Sequence, residues 1–123
     1  MPNKKIPVPV TKDELPGATP EYLLDIAAAS LRGAGKARGQ RAQRALARVA
    51  IMRALGAIVA LRADPVGRSH FLPQMNIWQL AKVVAPDLAS TIDYILDDDP
   101  QGDDLLGAAV GIVEEATRIY AAR

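Results

Sequence analysis

The chain has 123 residues, is 50% hydrophobic but only 4% aromatic, and carries a net charge of +1. A chain of this size suits one domain with one real core, and a core built from Ala, Leu, Ile and Val favours close-packed helices over a sheet sandwich. The absence of cysteine excludes a disulfide framework, a thiolate metal site and a cysteine nucleophile, and the single histidine, His70, leaves little for a histidine metal site.

Residues 1–18 hold Pro2, Pro7, Pro9 and Pro16, with Gly17. Proline fixes φ and removes donors, so an extended Pro-rich N-terminal tail is expected here, ahead of a single domain over 19–123. The first ten residues carry positive charge but no apolar h-region, so they do not read as a secretory signal. Thr19-Pro20-Glu21 reads as a helix start: Thr19 as N-cap, Pro20 in the first turn, and the acids Glu21 and Asp25 near the positive helix end. Leu24, Ala27, Ala28 and Leu31 then follow helical spacing, and Gly33 and Gly35 are expected to end the helix.

A second helix is predicted from about Ala37 to Ala63. Its first half sets Arg41, Arg44 and Arg48 on one side and Ala42, Leu46 and Val49 on the other. Its second half is apolar nearly all round, as expected of the central, most buried helix. The longest apolar run, Val49 to Leu61, spans 13 residues and is interrupted by Arg53. A membrane span needs ~20 residues, so the expectation is a soluble, cytoplasmic protein with no membrane contact. Asp64-Pro65 and Gly67 stop this helix, and a loop with His70, Phe71 and Pro73 follows.

Asn76 is positioned to cap a third helix with a face of Ile77, Leu80, Ala81 and Val84, and Leu88, Ile92, Ile95 and Leu96 form the next face. Pro86 falls between them. Inside a helix it would cost ~3 kcal/mol, but in the first turn of a new one it costs almost nothing. Two consecutive helices with a bend at Ala85-Pro86 are therefore expected. After the acidic connection Asp97 to Asp104, a last helix capped by Asp103 or Asp104 buries Leu105, Ala109, Ile112, Ala116 and Ile119. The whole reads as an all-α, up-and-down bundle of four to five helices with a Pro-bent pair and no strand signal.

The charge is segregated along the chain. No acid lies between Asp25 and Asp64, an interval that holds eight cations: Arg32, Lys36, Arg38, Arg41, Arg44, Arg48, Arg53 and Arg62. From Asp87 onward there are nine acids against two arginines. The stripe Arg38, Arg41, Arg44 and Arg48 could hold phosphates or an acidic partner, though no aromatic is interleaved to stack on bases. It could equally be a solvated face or a partner for the acidic half. Asp97 to Asp99 sit at a helix C-terminus, where negative charge is unfavourable, so a cation from the basic second helix is expected beside them. As an EF-hand the run fails: counted from Asp97, Pro100 falls at position four, and Ala108 stands at position twelve, where the bidentate glutamate belongs. No metal site and no cofactor are expected. His70 in its loop reads as a surface or structural histidine more readily than as a general acid/base. Trp78, early in its helix, is an interface candidate or packs the loop onto the bundle.

The segment Ile77-Trp78-Gln79-Leu80-Ala81-Lys82-Val83-Val84-Ala85-Pro86-Asp87-Leu88-Ala89 resembles a small actinobacterial branch of the HEPN superfamily (higher eukaryotes and prokaryotes nucleotide-binding domains). Asp103-Asp104-Leu105-Leu106 and Ala109 are similar to the acidic start of that branch's last helix, and the resemblance covers about residues 20 to 121. It implies a helical bundle, usually dimeric. Many members are metal-independent ribonucleases with an Arg-x4–6-His motif at the dimer interface. Here His70 would need an arginine at 63, 64 or 65, which are Ala63, Asp64 and Pro65. No catalytic residue carries over. The expected function is a non-catalytic, homodimeric binding module for RNA, nucleotide or an acidic protein. The alternatives are a degenerate ribonuclease using Arg62 or Arg68 with His70, and a structural partner protein that pairs acid with base between chains.

Overall fold

The computed structural model describes residues 4–68 and 74–123. The elements are a short strand β1 (Ile6–Val8), helices α1 (Pro20–Lys36) and α2 (Gln40–Arg62), a short strand β2 (Ala63–Pro65), and helices α3 (Ile77–Val84), α4 (Ala89–Asp98) and α5 (Gly102–Ala121). The architecture is an all-α bundle, as the composition requires. α2 is its axis and packs against α1, α3 and α5. From Ala54 to Val59 every residue of α2 is buried, and Ala60, Leu61 and Arg62 beyond them are half-buried.

Local chemistry places the helix ends. Thr19 caps α1 by accepting a hydrogen bond from the Tyr22 amide, with Pro20 in the first turn. Asn76 caps α3 reciprocally: its side chain accepts from the Gln79 amide while the Gln79 side chain accepts from the Asn76 amide. The bend comes where proline demands it. α3 ends at Val84, Pro86–Leu88 forms a single 3-10 turn, and α4 follows. Lys82 and Asp93 close the bend with an ion pair of 2.6 Å.

Several boundaries differ from the sequence expectation. α1 runs on through Gly33 and Gly35 to Lys36, because Gly33 is where Leu46 of α2 comes close: a Cβ there would lie 3.3 Å from the Leu46 side chain. The buried stripe of α1 is Leu23, Ala27 and Ala34, with Leu24 and Leu31 only half-buried. α5 begins at Gly102 with Gln101 as N-cap, so Asp103 and Asp104 stand in its first turn rather than at the cap, where they still face the positive helix end. Its expected stripe, Leu105, Ala109, Ile112, Ala116 and Ile119, is buried throughout.

Within the Pro-rich segment Ile6–Val8 is an extended strand, Lys12–Glu14 makes a 3-10 turn, and Val8 and Val10 enter the core. β1 pairs in parallel with β2, Ile6 opposite Ala63 and Val8 opposite Pro65, and the Val66 amide donates to the Val8 carbonyl at 3.0 Å. Val8 and Val10 are completely buried. The sequence Ile6-Pro7-Val8-Pro9-Val10 alternates, and a period of two sends both valines inward and leaves Pro7 outside. Burying each valine contributes roughly 1.5 kcal/mol or more.

Candidate functional site

The basic stripe lies on the first half of α2, and the fold gives its members different partners. Arg44 and Arg48, one turn apart, converge on a single carboxylate. Asp99 Oδ1 accepts from Arg44 Nη2 at 2.8 Å and from Arg48 Nη2 at 3.2 Å. Asp99 can reach them because it ends α4 in the left-handed conformation, with φ of 47° and ψ of 58°. Only Gly, Asn and Asp adopt that region readily, and the buried Pro100 fixes the turn that follows. The expected cation beside the acidic run is therefore present, and it serves Asp99. Asp97 and Asp98 are exposed and make no ion pair among the described residues.

Arg38 precedes α2 and Arg41 stands in its first turn. Both are exposed, and neither side chain makes an ion pair or hydrogen bond among the described residues. The stripe thus divides into two arginines that hold a carboxylate of their own chain and two whose charge faces solvent. The side of α2 that carries Ala42 and Val49 is exposed, while Ala47, Ala50, Ile51 and Ala54 are buried. The arginine spacing gave no sign of this, because α1 and α5 together decide which side of α2 they cover.

The arginines considered for a ribonuclease have structural work. Arg62 donates to the Val84 carbonyl at 3.0 Å from a part-buried position. In an unbroken helix that carbonyl would accept from the Leu88 amide, but after the Pro86 break the Leu88 amide donates to Ala85 instead, at 2.9 Å. Arg62 satisfies the carbonyl left over. Arg68 pairs with Glu14 at 2.8 Å and ties the segment after β2 to the turn after β1. His70 lies outside the described residues, as do Ser69 and Phe71. Trp78 is half-buried against the core, which packs the start of α3 onto the bundle.

At the far end of the bundle Tyr120 donates to Glu21 at 2.9 Å, and the Arg123 guanidinium stacks 3.6 Å from the Tyr120 ring centre. Backbone hydrogen bonding at the start of α1, then the Tyr120 hydroxyl, hold the Glu21 carboxyl below its usual range. The same hydrogen bond raises Tyr120, since it favours the protonated hydroxyl. On α5, Arg118 holds Glu115 below the usual carboxylate range. A cavity of about 320 Å³ lies beside Glu21 and Tyr120, lined also by Leu24, Asp25, Ala28 and Thr117. Another of about 270 Å³ is lined by Met75, Gln79, Lys82 and Val83. The described residues hold no group of three His, Cys, Asp or Glu suited to a metal ion, and no helix long and apolar enough to cross a membrane.

The geometry is that of a helical bundle with a divided basic face. No family model matches the chain, and neither does any curated protein or solved structure.

Proposed function

We propose that this chain is a non-catalytic helical-bundle binding module that uses the basic first half of α2 to hold a polyanion, an acidic protein segment or RNA. The observation that carries this reading is the grip of Arg44 and Arg48 on the Asp99 carboxylate, next to Arg38 and Arg41, which are exposed without such a partner. The surface already binds an oxyanion of its own chain and has further cations to offer. Charge-assisted contacts of this kind are the stronger class of hydrogen bond and suit carboxylate and phosphate alike. The resemblance of Ile77–Ala89 to HEPN domains supports the same class of function and adds the expectation of a homodimer in the cytoplasm. Engagement of Arg62 by Val84 and of Arg68 by Glu14 weighs against the ribonuclease.

Fluorescence anisotropy with labelled single-stranded RNA and labelled polyglutamate, at low and moderate salt, tests the proposal. Binding to at least one probe is expected, weakening steeply with salt, and Arg38→Ala with Arg41→Ala should reduce it without unfolding the bundle. No binding to either probe overturns the proposal. RNA that is cut by the parent protein but not by His70→Ala would restore the ribonuclease.

A second reading has its own observation. Asp97, Asp98, Asp103 and Asp104 are exposed and make no ion pair among the described residues, just as Arg38 and Arg41 make none. These two sets could meet across two copies of the chain. Sedimentation would then show a dimer that salt dissociates, since exposed pairs are screened.

A further inference from the structure

The exposed side of α2 carries more than charge. Ala42, Ala45, Val49 and Met52 are all exposed, with Val49 and Met52 38% and 37% accessible. Their spacings of three, four and three are those of the a and d positions of a heptad, the seam one helix presents to another. The seam runs for about 15 Å, close to three turns. The next position in the series is Gly56, and there the chain covers the same line of the helix itself. A Cβ at Gly56 would lie 3.5 Å from Leu23 and 3.8 Å from Pro16. The line is thus a packing surface, closed by apolar side chains at one end and open at the other.

Charge decides what fits the open part. Arg41 and Arg48 border the seam on one side, Arg53 borders it on the other, and Arg38 stands at its end. Arg41 and Arg53 make no ion pair among the described residues. A second copy docked seam to seam would set Arg41 and Arg53 against their like, and among the described residues neither has an acid paired with it, whereas Arg48 has Asp99. RNA would find charge but no stacking surface, because no aromatic residue occurs from Lys36 to Arg62. An amphipathic helix with an apolar stripe at heptad spacing and Asp or Glu on its flanks meets both demands. The two alanines let its backbone come close, Val49 and Met52 supply the apolar contact, and the arginines select acidic flanks.

We infer that the α2 seam Ala42-Ala45-Val49-Met52 docks an acidic amphipathic helix of a partner protein. The inference rests on the reading of α2 as an anion-holding face and narrows it to one partner chemistry.

The test is anisotropy of full-length protein with a labelled synthetic peptide of about three heptads, Leu at the seam positions and Glu at the flanks. Two further peptides serve as controls, one with Lys at the flanks and one with Gln in place of Leu. Binding of the Leu/Glu peptide alone is expected, weakened at least tenfold by Val49→Lys with Met52→Lys. Both positions are exposed, and circular dichroism reports whether the variant is folded. Equal binding of the Gln peptide, or no loss in the double variant, overturns the seam and leaves the anion-holding face standing. Equal binding of the Lys-flanked peptide overturns the charge selection. No binding of the Leu/Glu peptide overturns the seam, and the anion-holding face falls with it only when RNA and polyglutamate fail as well. A dimer of the parent protein that the double variant abolishes would assign the seam to a second copy instead, and the inference would fall.

Discussion

The two halves of α2 share one helix and a similar share of alanine, yet they live in different surroundings. From Ala54 to Val59 the helix is buried on all sides. From Gln40 to Arg53 it is buried on one side only, and Ala42, Ala45, Val49 and Met52 meet solvent. The contrast separates two uses of the same residue types. In the second half Leu55, Ile58 and Val59 hold the bundle together. In the first half Val49 and Met52 stay 38% and 37% accessible, and the exposed arginine pairs beside them contribute little to stability.

Truncation tests this contrast most directly. Leu55→Ala or Ile58→Ala should cost about 2 to 5 kcal/mol in urea denaturation, through lost burial and the cavity left behind. Val49→Ala should stay within about 0.5 kcal/mol. Equal costs would mean that the exposed half carries load as well. Next in size, Val8→Ala with Val10→Ala should cost roughly 3 kcal/mol, since both side chains are fully buried, although they sit in a segment without helical structure. Arg62→Met should cost about 1 to 3 kcal/mol by leaving the Val84 carbonyl without its donor, and it should do so equally at low and high salt.

Asp99→Asn tests the first half of α2 at lower cost. Asparagine tolerates the left-handed conformation, so the substitution removes the charge and keeps the turn. The loss should be no more than about 1 kcal/mol, as for an exposed pair. The same substitution should tighten binding of the acidic probe, because Arg44 and Arg48 are released from their internal carboxylate. A thermal shift series with probe titration reads both effects.

The smallest effect concerns pH. Arg118 depresses the folded-state Glu115 carboxyl, so its contribution to stability is present above the ordinary glutamate value and is lost as pH falls through the lowered folded value. Glu115→Gln should flatten the acid limb of a plot of melting temperature against pH. Tyr120 has the opposite sign. Its folded value is raised by the bond to Glu21, so that contribution is lost as pH rises through it, and Tyr120→Phe should remove the alkaline limb.

Much of this architecture is written locally. Thr19-Pro20, Asn76 with Gln79, and Ala85-Pro86 act through hydrogen bonds and torsions within a few residues of each other, and each element starts or breaks where those residues place it. The stripe of α5 is equally local, because five apolar residues at helical spacing leave one side to bury. The grip on Asp99 was legible in part. An acidic run at a helix C-terminus calls for a cation, and one long cationic helix was on offer, but which aspartate it would meet depends on the left-handed turn before Pro100.

The helical class, the N-caps of α1 and α3 and the bend at Pro86 are legible in the chain alone, because forces acting over one or two turns set them. Which side of α2 is covered, the place of Val8 and Val10 in the core, and the service of Arg62 to the Val84 carbonyl come from the packed fold. Those outcomes depend on residues between 20 and 60 positions apart meeting in space, as Ile6 meets Ala63 and Arg44 meets Asp99. No periodicity within one helix records such a meeting, because a helix with apolar residues on two sides can bury either, and its neighbours choose.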